Sequence, residues 1–143
     1  MIKLNFNRTK RKFGFTLLEL LVVISIIGIL IAMGTVAFST AQKRGRDSKR
    51  RGDLKAVQAA FEQYNATNTG YAASCAAMAT SDYIPSGTLP TDPQTGADYS
   101  CVSTTADYCA CALLEDETGG NSSDAACGFG GATPSYFCIT NLQ

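Results

Sequence analysis

Residues 15–38 read Phe-Thr-Leu-Leu-Glu-Leu-Leu-Val-Val-Ile-Ser-Ile-Ile-Gly-Ile-Leu-Ile-Ala-Met-Gly-Thr-Val-Ala-Phe, and this stretch decides the fold. It holds 24 residues with no Pro and one charge, Glu19. As a helix it extends about 36 Å, enough to cross a hydrocarbon layer of about 30 Å with tilt. A secretory signal peptide has an apolar run of roughly 7–15 residues before a small-residue cleavage site. Ser39-Thr40-Ala41 has the composition of such a site, but the apolar run is too long. A plain membrane anchor fits the length and leaves Glu19 unexplained. An acidic side chain costs roughly 2.5–3.5 kcal/mol at the centre of a membrane helix and less near its end. No basic residue stands within one turn of Glu19 on its C-terminal side.

Upstream, residues 1–14 form a polar leader with five basic residues (Lys3, Arg8, Lys10, Arg11, Lys12) and no acid. The junction Lys12-Phe-Gly followed by Phe15-Thr-Leu-Leu-Glu-Leu-Leu-Val-Val-Ile closely resembles the class III signal of type IV prepilins. The resemblance implies cleavage after Gly14 by a membrane-embedded prepilin peptidase, and methylation of the new N-terminus, Phe15, by the same enzyme. It also implies a role in filament assembly for Glu19, fifth residue of the processed chain, paired with the N-terminal amine of a neighbouring subunit. Two such charges in an apolar filament core would neutralise each other and favour one axial register. Family members often carry a Pro where Val36 stands, with Gly28 and Gly34 upstream here. Gly weakens a helix by about 1 kcal/mol relative to Ala. Residues 28–34 are therefore the candidate for the segment that family filaments unwind, with close helix packing through small residues as the alternative.

Beyond the apolar run, residues 43–51 hold six positive charges and one negative, forming a basic collar. Leu54, Val57, Phe61 and Tyr64 recur at helical spacing, and residues 65–70 are turn-forming. The pattern predicts one helix over 16–67, its first half in lipid and its second half backing a small head. Asp47 precedes Arg50 and Arg51 by three and four residues, which reads as weak surface support. The collar has no interleaved aromatics and follows a membrane span directly, so nucleic acid is not expected as a partner of the monomer. It also outnumbers the leader's positive charges, against the positive-inside tendency.

From residue 70 onward the chain is rich in Ala, Ser, Thr, Gly and Asp and carries all six Cys. Residues 83–93 hold three of the four Pro and resemble the Leu-Pro-x-Asp-Pro loop of the major pseudopilins and of related major pilins. Strand patterns follow at 98–103, 108–114 and 135–140, with a connection at 104–107 and a long Gly-rich loop at 115–134. Together these predict an α+β protein with a long N-terminal helix against a small three-stranded antiparallel sheet, and the resemblance implies that this is the type IV pilin fold. The segments are a cleaved leader (1–14), a transmembrane and filament-core helix (15–38), an amphipathic helix (39–68) and a Cys-rich head (69–143). A head this small buries little apolar surface, so crosslinks are expected. Cys75, Cys101, Cys109, Cys111, Cys127 and Cys138 are the disulfide candidates, and zinc is the alternative use of six thiols. Fifteen pairings are open. Cys109 and Cys111 share a strand face and are expected to bond different partners, with Cys127 to Cys138 as a pair closing the C-terminal loop. Asp116, Asn121 and Asp124 lie in a cluster of oxygen donors that is a weak calcium candidate; some pseudopilins with a similar head bind calcium. The spacing is not that of an EF-hand, and a solvated acidic loop is the simpler reading.

The absence of His excludes Ser-His-Asp and Cys-His catalysis, and no phosphate loop or paired carboxylate points to an enzyme. No resident cofactor is expected. The resemblance implies a structural subunit of a type IV pilus, serving adhesion, twitching motility or DNA uptake. As precursor it would lie in the inner membrane, held by residues 15–38, and then be moved by a pilus assembly platform into an extracellular helical filament of its own copies. A major pseudopilin of a type II secretion system and a non-polymerising anchored binding module are the alternatives. The 12 basic and 12 acidic residues sum to zero only before processing. Cleavage after Gly14 would leave 7 basic and 12 acidic residues in 129, a charge of −5. The segregated charges predict that the collar lies against acidic heads of neighbouring subunits.

Overall fold

The computed structural model describes residues 14–80 and 82–142, so all of the leader read in residues 1–14 except Gly14 lies outside the described residues. The chain divides into two units, Met1–Phe38 and Ser39–Gln143. The helix α1 (Leu17–Thr67) contributes to both, and among the described residues it is the helix long and apolar enough to cross a membrane. Its start and end fall within one residue of the 16–67 expected from the pattern. In the first unit every described residue is exposed, including Phe15, Leu17 and Ile29. That is the condition of an apolar surface awaiting lipid or other helices. Two hydroxyls within it are internally satisfied: Ser25 Oγ donates to the Leu21 carbonyl at 2.8 Å and Thr35 Oγ1 to the Ala32 carbonyl at 3.1 Å. In a hydrocarbon environment an unsatisfied hydroxyl would cost several times more than in water.

In the second unit the helical stripe is the core. Leu54, Val57 and Phe61 are fully buried, joined by Ala60, while Tyr64 is only partly covered. Opposite them stands an antiparallel sheet of β1 (Ser100–Ser103), β2 (Tyr108–Leu113) and β3 (Tyr136–Thr140), in the order β1-β2-β3. Alternation along β2 sends Tyr108, Ala110 and Ala112 into the helix-side core and Cys109, Cys111 and Leu113 to the other face. Phe61 stacks on the Tyr108 ring at 4.3 Å between centroids, and Tyr71 meets Tyr108 edge-on at 5.0 Å. The Tyr108 and Tyr71 hydroxyls and the Leu142 amide converge on the Glu62 carboxylate, at 2.9, 3.1 and 3.1 Å. This ties the C-terminal residues to the helix.

The first strand is shorter than the 98–103 expected. Asp98 instead forms a bridge with Thr91, because Asp92 folds the intervening residues into a turn closed by Gly96 N–H to Asp92 carbonyl at 2.9 Å. A short helix α2 (Cys75–Ala79), capped by the Ser74 side chain, was not visible in the sequence pattern, since one turn gives no periodicity.

All six cysteines are paired: Cys75–Cys101, Cys109–Cys127 and Cys111–Cys138. Cys109 and Cys111 do take different partners, but the expected Cys127–Cys138 pair is not formed. The reason is register. Cys138 stands directly opposite Cys111 across β2 and β3, with Cα atoms 4.1 Å apart. The backbone of Cys138 faces away from β2 and pairs with the Asn121 side-chain amide, at 2.7 and 2.8 Å. The Asn121 side chain thus closes an edge that would otherwise present bare backbone groups.

Candidate functional site

The N-terminal end of α1 carries a capping box. Thr16 precedes the helix; its hydroxyl accepts from the Glu19 amide at 3.2 Å. The Thr16 amide and hydroxyl donate in return to Glu19 Oε2 at 2.9 and 3.0 Å. Thr16-Leu-Leu-Glu19 has the spacing this motif requires, because N-cap and N3 meet across the first turn. The Thr-x-x-Glu spacing carries this signal in the sequence itself, and it gives Glu19 partners inside its own chain. The box holds the carboxylate beside the start of the helix. Gly14 and Phe15 lie just before it, exposed and outside the helix. Gly28 and Gly34 are both helical, and a Cβ at either would meet nothing within 4 Å.

At the collar the structure departs from the expected surface charges. Arg50 and Asp47 are buried, at 3% and 6% exposure. The Arg50 guanidinium donates to Asp92 at 2.6 Å, to Asp47 at 2.7 Å and to Glu115 at 3.1 Å. Arg46 donates to both oxygens of Glu115, at 2.5 and 2.7 Å. Asp47, far from a surface helper, accepts the amides of Glu115 and Asp116 at 2.9 and 3.0 Å. One helical turn thereby fastens both the Pro-rich loop, through Asp92, and the loop after β2, through Glu115. Arg51 donates to the Gly119 carbonyl and lies 5.1 Å over the Phe137 ring. Three of the six collar cations are therefore used within the chain, which corrects the expectation that the whole collar faces neighbouring subunits. Lys43, Arg44 and Lys49 are the collar cations left exposed.

The electrostatics follow from this geometry. Hydrogen bonds from Arg46, and then from Arg50, hold the Glu115 carboxyl down at about 2. Arg50, followed by the amides of Thr95 and Gln94, pulls Asp92 well below the usual carboxylate range. Burial, then the Glu62 carboxylate, pushes the Tyr108 hydroxyl far up. Arg46, Asp47, Arg50, Asp92 and Glu115 are all paired with one another or with loop amides, an arrangement that holds the two loops on the helix.

The oxygen donors of the acidic loop have structural partners of their own. Asp116 accepts from the Thr118 amide and hydroxyl at 3.1 and 2.9 Å. Asp124 accepts from the amides of Ala126 and Gly128 at 2.9 and 3.1 Å, and Asn121 is the edge clasp on Cys138. Among the described residues, the metal-ligating side chains that converge in a group of three are Cys109, Cys111 and Cys127, and their sulfurs belong to disulfides.

Residues 9–35 match the family described as the prokaryotic N-terminal methylation motif. Over 62 residues the chain is 34% identical to type II secretion system core protein G of Pseudomonas aeruginosa, covering 43% of this chain and 44% of that protein. Over 59 residues it is 41% identical to the type IV major pilin protein PilA of Myxococcus xanthus, covering 41% of this chain and 26% of that protein. The chain thus spans less than half the length of either relative. No solved structure matches the chain significantly.

Proposed function

We propose, for a chain whose N-terminus carries the prepilin-type methylation motif shared by type IV pilins and pseudopilins, the role of structural subunit in a type IV pilus. The observation that carries the reading is the arrangement at the head of α1. An exposed Gly14–Phe15 junction stands before a helix whose first turn positions a carboxylate and whose next turns are apolar on every side. Prepilin peptidase cuts after Gly14 and methylates Phe15. The precursor waits in the cytoplasmic membrane through residues 15–38, and an assembly platform then draws it into a filament with the disulfide-bonded heads outside. Extraction is feasible because the apolar helix exchanges lipid for a bundle of identical helices. Unwinding at residues 28–34 accommodates the packing. The subunit builds and does not catalyse.

The similarity to a type II secretion core protein favours a second reading, a major pseudopilin in a short periplasmic filament. Three disulfides staple this small head, where the pseudopilin heads it resembles often use calcium instead, and this supports the pilus over that alternative. Electron microscopy of sheared surface filaments, with mass spectrometry of their subunits, tests the proposal. The expected terminus is N-methylated Phe15; filaments carrying intact Met1 would refute the processing step. Absence of this chain from sheared filaments, with a membrane pool ending at methylated Phe15, would favour the pseudopilin.

A further inference from the structure

Cys111 Sγ lies 3.7 Å from Cys109 Sγ and 3.7 Å from Cys127 Sγ, although its own bond is to Cys138. The sulfurs of Cys109, Cys111 and Cys127 all fall within 4.8 Å of one another. Two backbone features bring them together. Alternation in β2 puts Cys109 and Cys111 on one face of the sheet. Cys127 has a left-handed backbone, φ 57°, that turns the loop back over that face. Exposure then divides the cluster: Cys111 and Cys138 are buried, while Cys109 and Cys127 are half-buried, which makes theirs the more accessible of the two disulfides. The Cys75–Cys101 disulfide belongs to no such group among the described residues.

Disulfides exchange by direct attack of a thiolate on a bonded sulfur, at a rate governed by access and by the thiols involved. A thiol released at Cys127 is already in contact with a sulfur of the second disulfide.

We propose that these four cysteines form a disulfide-exchange cluster in which Cys111 is the shared sulfur and a single reduction is passed inward. A dithiol reductant opens Cys109–Cys127 and leaves as its own cyclic disulfide, so both cysteines become thiols. The Cys127 thiolate then attacks Cys111 Sγ. The Cys111–Cys127 bond forms, the Cys111–Cys138 bond breaks, and the Cys138 sulfur leaves with the electron pair and takes up the proton that Cys127 gave up. The second step changes no oxidation state. The loop stays tethered to β2, and the free thiols are Cys109 and Cys138. Cys138 tolerates this loss because β3 is held by its register with β2 and by the Asn121 clasp. The device keeps the loop that carries Glu115 covalently attached after one reducing hit. It depends on the head alone, whatever filament the chain builds.

Full-length protein in detergent micelles, treated with limiting dithiothreitol, quenched by alkylation and mapped by mass spectrometry, tests the proposal. The expected products are alkylated Cys109 and Cys138 and a new Cys111–Cys127 crosslinked peptide. Alkylation at Cys109 and Cys127 with Cys111–Cys138 intact would overturn it. The Cys138→Ser variant needs no reductant, since its Cys111 thiol faces the Cys109–Cys127 bond. Label divided between Cys111 and Cys109 is expected; label on Cys111 alone contradicts the exchange. If the variant does not fold, the wild-type map still decides.

Discussion

Glu19→Ala is expected to reduce sheared surface filaments to below detection while leaving the processed chain in the membrane at normal amounts. Two effects of different size act at this residue. Losing the capping box costs about 0.5–2 kcal/mol of helix stability, which a 51-residue helix can absorb. In the proposed filament, losing the charge would leave the N-terminal amine of a neighbouring subunit unpaired in an apolar core. Removing one member of a buried ion pair costs about 3–5 kcal/mol, and the cost recurs at every subunit. Glu19→Gln separates the effects, because Gln also completes a capping box but carries no charge. Filament loss with Gln equal to that with Ala supports the pairing role. Normal filaments from Glu19→Gln would remove it, and normal surface display from Glu19→Ala without any filament in the parent strain would favour an anchored binding module.

The second large effect is at Arg50. Arg50→Ala leaves Asp47, Asp92 and Glu115 around an empty buried position, with Arg46 alone to compensate. Breaking a buried pair of this kind costs about 3–5 kcal/mol, against a total stability of about 5–15 kcal/mol for a typical domain. Urea unfolding of the full chain in micelles, followed by tyrosine circular dichroism, should show the midpoint fall sharply. Lys49→Ala, one residue away and exposed, should shift it by no more than about 0.5 kcal/mol. An Arg50→Ala midpoint equal to that of Lys49→Ala would mean that the network contributes nothing net.

The same network sets an acid limit. Glu115 binds its proton at about 2 in the folded chain against its usual 4.5, and Asp92 is lowered in the same direction. A carboxylate with a depressed folded pKa binds fewer protons folded than unfolded, so its stabilisation is complete above the unfolded value. It fades as pH falls from about 4.5 through about 2. Glu115→Gln should shrink that acid-dependent loss while lowering stability at neutral pH. Unchanged acid dependence in the variant would assign the loss to other groups.

The helix was legible because its signals are local and repeated. An unbroken apolar run, then Leu54, Val57 and Phe61 at helical spacing, fixes both its extent and its buried face, and α1 begins and ends where those signals do. The strands were legible in place but less so in length, since the turn begun at Asp92 pairs Asp98 with Thr91 in a bridge rather than placing it in β1. The burial of Asp47 is illegible in the sequence for a related reason. Three residues from Arg50 on a helix, it has the sequence context of a surface pair, and its burial comes from the amides of Glu115 and Asp116, which no local pattern announces.

By itself, then, the amino-acid order determined the match to the N-terminal methylation motif, the membrane-length apolar segment, the capping carboxylate and the α+β division of the chain. Each depends on residues no more than a few positions apart, or on composition. Tertiary structure alone decided which cysteines join and which collar cations are free. Cys111 meets Cys138 because two strands pair in one register, and Arg50 is buried because loops 42 and 65 residues away in sequence close over it. Such long-range choices are made by the packing of a shared core, whose energy is spread over many contacts that no short stretch of sequence contains.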